Sequence, residues 1–243
     1  MPDIESVRSR LRPGAAQEDT RSGVARASVY GDQYQYQGYR HALADEGSYY
    51  TVTNPTMDTT VAYGVIATFV STTPAFLISN TAPSGGRSIF LDFLKLRLTV
   101  APANATNWKY VIEMDNTIRT STAPTGGVSR TVLNANPSVS NDADATVWAF
   151  TGGTVLTVMA AANARIVAHG SIAQSIPLVL EEQVLQFGRD DSANAAATAV
   201  SRRVASTIPV VIPPGCSCAI HLYGTSNAIT GMSAEYSLGM WQR

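Results

Sequence analysis

The chain predicts an all-β fold: a jelly-roll-like antiparallel β-sandwich with an extended N-terminal arm. Three observations carry this expectation. From Gly47 onward, short stretches of alternating apolar and polar residues succeed one another, which is the period-2 signature of half-buried strands. Turn signals punctuate them at Asn54-Pro55, Ser84-Gly85-Gly86, Asn104, Thr125-Gly126-Gly127, Asn136-Pro137, Gly152-Gly153, Asp190-Asp191, Pro213-Pro214-Gly215 and Gly224. Residues 1–46, by contrast, are polar and lack the apolar pattern that builds a core. The chain of 243 residues thus divides into an arm, 1–46, and one sandwich domain, 47–243, a size at which all-β sandwiches run as single domains.

Within the arm, Asp3 caps a short helix whose Ile4, Val7 and Leu11 share a face, and Pro13-Gly14 stops it. A helix of about ten residues is marginal alone in water, so it holds only when docked. Arg21 and Arg26 follow in a Ser/Ala/Gly/Gln stretch. Tyr30, Tyr34, Tyr36 and Tyr39 are then interleaved with Gln33, Gln35 and Gln37, a two-sided, strand-like alternation suited to adding to the edge of a neighbouring sheet. On this reading Ile4, Val7, Leu11, Arg21, Arg26, Tyr30, Tyr34, Tyr36 and Tyr39 meet a partner. On composition alone the same stretch reads as a disordered leader.

The domain's strands are read in order. In 89–100 the even positions Phe90, Leu94, Leu96, Leu98 and Val100 are apolar, broken only by Asp92, so one face is expected in the core throughout. Trp108, Tyr110, Ile112 and Met114 alternate with Asn107, Lys109, Glu113 and Asp115, a half-buried strand. Val155 and 166–172 are read as strands, around a stretch of helix propensity at Met159-Ala160-Ala161-Ala162. Val204, Ile208, Val210 and Ile212 make one further strand, and Pro214-Gly215 suits a type II turn into 216–223. Met232, Ala234, Tyr236, Leu238 and Met240 face the core in the last strand, opposite Ser233, Glu235 and Ser237. In all, eight to eleven strands are expected. Long connections at 118–145 and 188–202 favour a Greek-key double sheet over a meander.

Charged residues are only 14% of the chain, against roughly 25% in an average globular protein. So lightly charged a surface suits a protein covered by neighbours. The net charge of −1 argues against non-specific nucleic-acid binding. Two lysines against fifteen arginines favour fixed bidentate contacts over a diffuse positive field. Met1-Pro2-Asp3-Ile4-Glu5 opens with acid and no apolar stretch follows, and 154–169, the best candidate for a membrane span, is interrupted by Asn163 and Arg165. The expectation is a product made in a cytoplasm, with no membrane partner. Two cysteines fit a reducing compartment.

Catalytic constellations are scarce, and neither an enzyme nor a cofactor is expected. His41, His169 and His221 show no metal-ligand spacing among themselves. Cys216-Ser217-Cys218 with His221 invites a metal reading, but on a strand Cys216, Cys218 and Ile220 share one face and His221 takes the other. The cysteines are therefore read as small core hydrophobes. A bridge between them is disfavoured, since i,i+2 strand neighbours lie roughly 6.5–7 Å apart. Glu181 and Glu182 face opposite ways and cannot flank one bond. Asp190-Asp191 reads as a solvated turn, and Asn104-Ala105-Thr106 as a chance glycosylation pattern. Arg202-Arg203 is either an interface pair or a charged edge that blocks stray pairing.

Gly-Ser-Tyr-Tyr-Thr-Val-Thr at 47–53, Ile-Pro-Leu-Val-Leu…Gln-Phe-Gly at 176–188 and Val-Ile-Pro-Pro-Gly-Cys-Ser-Cys-Ala-Ile-His-Leu at 211–222, behind the arm, together resemble the jelly-roll head proteins that decorate or cement the capsids of tailed bacteriophages. The resemblance covers roughly 47–243. It implies a virion protein on the capsid surface, often trimeric, seated on the major capsid protein with its arm reaching across neighbours. Two other readings stand beside it. One is a receptor- or carbohydrate-binding module of a phage, with the 118–145 loop and Trp148 as a sugar platform. The other is a cupin-type enzyme, which would want clustered histidines.

Overall fold

The computed structural model describes residues 25–27, 33–35, 38–54, 61–62, 68–101, 108–119, 124, 126–140, 142–150, 164–173, 179–188, 202–224 and 233–243. Short β1 (Ala25–Ala27) and β2 (Gln33–Gln35) come first, followed by a helix, α1 (Gly38–Asp45). The sandwich strands are β3 (Tyr49–Thr53), β4 (Val61–Ala62), β5 (Phe76–Asn80), β6 (Ile89–Val100), β7 (Trp108–Asp115), β8 (Gly127–Arg130), β9 (Leu133–Asn134) and β10 (Ala145–Phe150). They continue with β11 (Ala164–Ala173), β12 (Glu182–Phe187), β13 (Arg202–Thr207), β14 (Val211–Ile212), β15 (Ser217–Gly224) and β16 (Ser233–Gln242).

The pairing is that of a jelly roll. Among the eight principal strands the first pairs with the last (β3·β16), the second with the seventh (β5·β15), the third with the sixth (β6·β12) and the fourth with the fifth (β7·β11), all antiparallel. A long hairpin wound round on itself gives this order, and β6·β16 and β7·β15 close the winding. One sheet runs β13-β12-β6-β16-β3-β9, the other β11-β7-β15-β5-β10-β8. The expected Greek-key double sheet is therefore the fold.

Apolar alternation drives the two sheets together. Tyr50, Val52, Leu94, Leu96, Leu98, Ala234, Tyr236, Leu238 and Met240 of the first sheet meet Phe76, Ile78, Trp108, Tyr110, Ile112, Cys218, Ile220 and Leu222 of the second in one buried cluster. At about 25 cal/mol per Å² of apolar area, such burial is the main stabilising term.

Several expectations are corrected. The face of β6 is not constant. A register shift opposite Gly239 and Met240 inserts an extra residue near Asp92, so Ile89 and Leu91 face the core before the bulge and Leu94, Leu96 and Leu98 after it. Phe90, expected inside, instead stacks on Trp241, and Val100 is exposed. Strand β7 is buried on both faces, with Val111, Glu113 and Asp115 inaccessible on the side expected to meet solvent. The 204–212 strand is two strands: β13 pairs parallel to β12, Pro209, which has no N–H to donate, interrupts, and β14 joins β6. The 118–145 connection holds β8 and β9. The Pro213–Cys216 turn closes as expected, with Gly215 at φ +75° and Cys216 N–H donating to the Pro213 carbonyl.

The Tyr/Gln alternation predicts an extended run through Tyr39, whereas the structure forms a helix over Gly38–Asp45. The Arg-His-Ala-Leu-Ala segment has good helix propensity, and Gly47 (φ +69°) ends it. Ser48 N–H donates to Leu43 O and Gly47 N–H to Ala44 O, the two bonds of a Schellman closure. The expected helix around Ile4, Val7 and Leu11, the Val155 strand and the 188–202 loop lie, in whole or nearly so, outside the described residues.

Candidate functional site

Of the nine arm residues expected to meet a partner, Ile4, Val7, Leu11, Arg21, Tyr30 and Tyr36 lie outside the described residues. Arg26 lies on β1 and Tyr34 on β2, directly opposite each other in an antiparallel ribbon whose register is Ala25↔Gln35, Arg26↔Tyr34 and Ala27↔Gln33. Tyr39 lies on α1. Among the described residues the ribbon pairs with neither sheet of the sandwich.

A latch ties the helix to the first sheet. Arg40 Nη2 donates to Asp92 Oδ1 at 2.6 Å, and the Tyr49 hydroxyl donates to Asp92 Oδ2 at 2.6 Å. The Arg40 guanidinium also lies over the Phe93 ring, 6.0 Å from its centroid. The bulge in β6 turns Asp92 to this outer face, and both of its oxygens are engaged although it is buried. Gly239 leaves the room for this, since a Cβ there would overlap the Phe93 ring and the Tyr49 hydroxyl. Sequence reading saw Asp92 only as a break in an apolar pattern.

The outer face of the second sheet carries a buried polar cluster that the sequence reading missed. His221 Nε2 and Glu113 Oε2 are 3.0 Å apart across β15 and β7, and Phe69 sets its ring edge-on to the imidazole at 5.1 Å. Arg119 Nε reaches Asp115 Oδ2 at 2.5 Å, while Asp115 Oδ1 accepts from the backbone N–H and hydroxyl of Thr117. Ser217 donates to Thr117 O. Among the described residues Arg119 Nη1 and Nη2 and His221 Nδ1 have no hydrogen-bond partner. The signal available was that Glu113, Asp115 and His221 all fall on one parity of two strands, but nothing local says that this parity is covered. The arrangement joins β7 to β15 through an acid–imidazole contact with both side chains buried.

The remaining candidates fall where chemistry is quiet. Cys218 is fully buried in the core and Cys216 half-buried beside it, and both thiols are free. Burial pushes the Cys218 thiol up to about 12, Arg119 opposing and Glu113 adding to the effect. Glu181 accepts from Gln183 Nε2, whereas Glu182 meets Lys95 at 3.4 Å on the outer face, so the two acids point apart as expected. Among the described residues no group of three or more His, Cys, Asp or Glu is placed to hold a metal ion. No described helix is long and apolar enough to cross a membrane. Asp190, Asp191 and Asn104 lie outside the described residues.

Comparison with family models, curated proteins and solved structures finds no match to this chain. The class to which it belongs is set by its own strand order: a jelly-roll sandwich with a helix-latched N-terminal segment.

Proposed function

We propose that this chain is a non-enzymatic structural protein of a virus particle, a cement or decoration protein that stabilises a bacteriophage head. Its partner is the major capsid protein, contacted through the arm and the sandwich, and its own state is a trimer on the capsid surface. The observation that carries this reading is the β1–β2 ribbon, a two-stranded sheet that, among the described residues, is bonded to no strand of the sandwich. A ribbon of that size is marginal alone in water, so its use is to join another sheet. The jelly roll and the low surface charge agree with a building block.

The test is copy number and binding. Purified heads lacking the protein should take up the full chain in hundreds of copies and resist heat or chelation better for it. Uptake of a handful of copies, at the tail, would favour the second reading, a receptor- or carbohydrate-binding module. The Phe90–Trp241 stack supports that reading: two half-buried rings, 3.9 Å apart and 4° from parallel, form an apolar platform on the outer face.

A further inference from the structure

The outer face of the second sheet is sealed where a sandwich face is ordinarily wet, and register sorts its side chains into rows. Glu113, Ala219, Leu77 and Trp148 lie side by side across β7, β15, β5 and β10. Leu77, Ala219 and Phe150 form an apolar cluster there, with Trp148 packed against it. The next row is polar throughout: Asp115, Ser217, Ser79 and Thr146 on the same four strands. Asp115, Ser217 and Ser79 are 5%, 1% and 0% exposed, so bulk water does not serve them.

Arg119 reaches this row from beyond the end of β7, and its side chain is only 2% exposed. Asp115 Oδ2 holds it through Nε. Asp115 is fixed in turn by the N–H and hydroxyl of Thr117, whose carbonyl accepts from Ser217. The guanidinium is thereby anchored along one edge. At its other end, Nη1 and Nη2 have no hydrogen-bond partner among the described residues, and neither does Ser79 Oγ in the same row. A buried charged donor left unmade is more costly than an ordinary lost hydrogen bond, so a fork fixed in this way is stabilised by any acceptor that fits it.

The shape of the fork selects the acceptor. Two N–H groups of one planar guanidinium match two oxygens of one carboxylate or phosphate, whereas two waters would each have to be immobilised. Asp115 already balances the arginine's charge, so directed hydrogen bonds rather than net charge set the preference. The buried surroundings favour a small ligand. The geometry points to a site for a small oxyanion, a carboxylate or inorganic phosphate, held by Arg119 Nη1 and Nη2 at the β7 end of the polar row. A bound oxyanion would fasten the end of β7 to the face it crosses. The site is separate from the arm and does not rest on the capsid reading.

The experiment follows thermal unfolding of the full chain in sodium phosphate or sodium acetate, against sodium chloride at equal ionic strength and pH. A ligand of the folded state raises its stability, so phosphate or acetate at tens of millimolar should raise the midpoint by about 3 °C beyond chloride. Broadening of the phosphorus-31 line of inorganic phosphate by the folded protein is the second readout. Arg119→Met combined with Asp115→Leu removes the fork without stranding a buried charge, and this double variant should lose both signals. The comparison also removes phosphate's general effect on burial. Arg119→Lys keeps the charge without the fork and should weaken binding at least tenfold. A response to only one of the two anions supports the site and assigns its class. Equal midpoints in all three salts without line broadening overturn the inference, and so do signals that persist in both variants. A crystal structure grown from phosphate that shows only water, or a carbonyl of the chain itself, on Nη1 and Nη2 overturns it as well.

Discussion

Cys218 and Tyr236 show how single buried groups set the conditions under which the fold survives. Burial raises both, the thiol from 9.0 and the phenol from 10.0, each to about 12. Below pH 9 both are protonated in either state and contribute nothing to pH dependence. Above it the unfolded chain ionises first, so stability falls as pH rises toward 12, by about 1.4 kcal/mol per pH unit for the thiol alone. Denaturation at stepped pH should show this slope, and Cys218→Ala should flatten the part between 9 and 10. Replacing Cys216 and Cys218 together should lower stability by about 1–3 kcal/mol, mostly through Cys218. His221→Ala strands Glu113 in a buried site and should cost about 3 kcal/mol. His221→Leu with Glu113→Leu should recover most of that loss, which a double-mutant cycle by urea denaturation would measure.

Elements depend on less local information, and here the sequence is legible only in part. The strands with clean alternation, β15 and β16, stand where their pattern puts them. Strand β6 was legible in extent but not in facing, because a bulge depends on the partner strand: Gly239 on β16 decides where β6 slips. Helix α1 was missed because its neighbours Tyr36 and Gln37 continue an apparent strand rhythm and only the Gly47 closure ends it. Of the candidate site, the tyrosine–glutamine alternation was readable, while the Arg40–Asp92–Tyr49 latch joins residues more than forty positions apart and leaves no local mark. Gly239→Ala should destabilise by about 1–3 kcal/mol through overlap with Phe93 and Tyr49. Arg40→Ala should speed amide exchange in 38–46 far more than in β15, because α1 loses its tie to the sheet while the core keeps its packing.

At the scale of the whole molecule, the latch divides what the arm does from what the sandwich needs. Removal of residues 1–37 spares Arg40 and should leave the melting transition within about 2 °C of the full chain. Removal of 1–45 deprives Asp92 of its cation and should lower it by several degrees. Both truncations should bind particles at least tenfold more weakly. If the shorter truncation binds as well as the full chain, the arm has no part in attachment.

The C-terminal residues are pinned beside the start of β3 and of β6. Gln242 N–H donates to Ser48 O, and Arg243 exchanges both backbone bonds with Ser88, so the last residues sit beside the start of β3, where the helix delivers the N-terminal segment. The opposite end of the sandwich is where β6 stops at Val100 and β16 begins at Ser233, with Val179 and Leu180 exposed nearby. For anyone displaying cargo on such a scaffold, this makes the molecule polar in a practical sense. A fluorescent protein fused after Arg243 would stand beside Ser48 and Ser88, whereas one inserted near Ser233 would stand at the other end of β16.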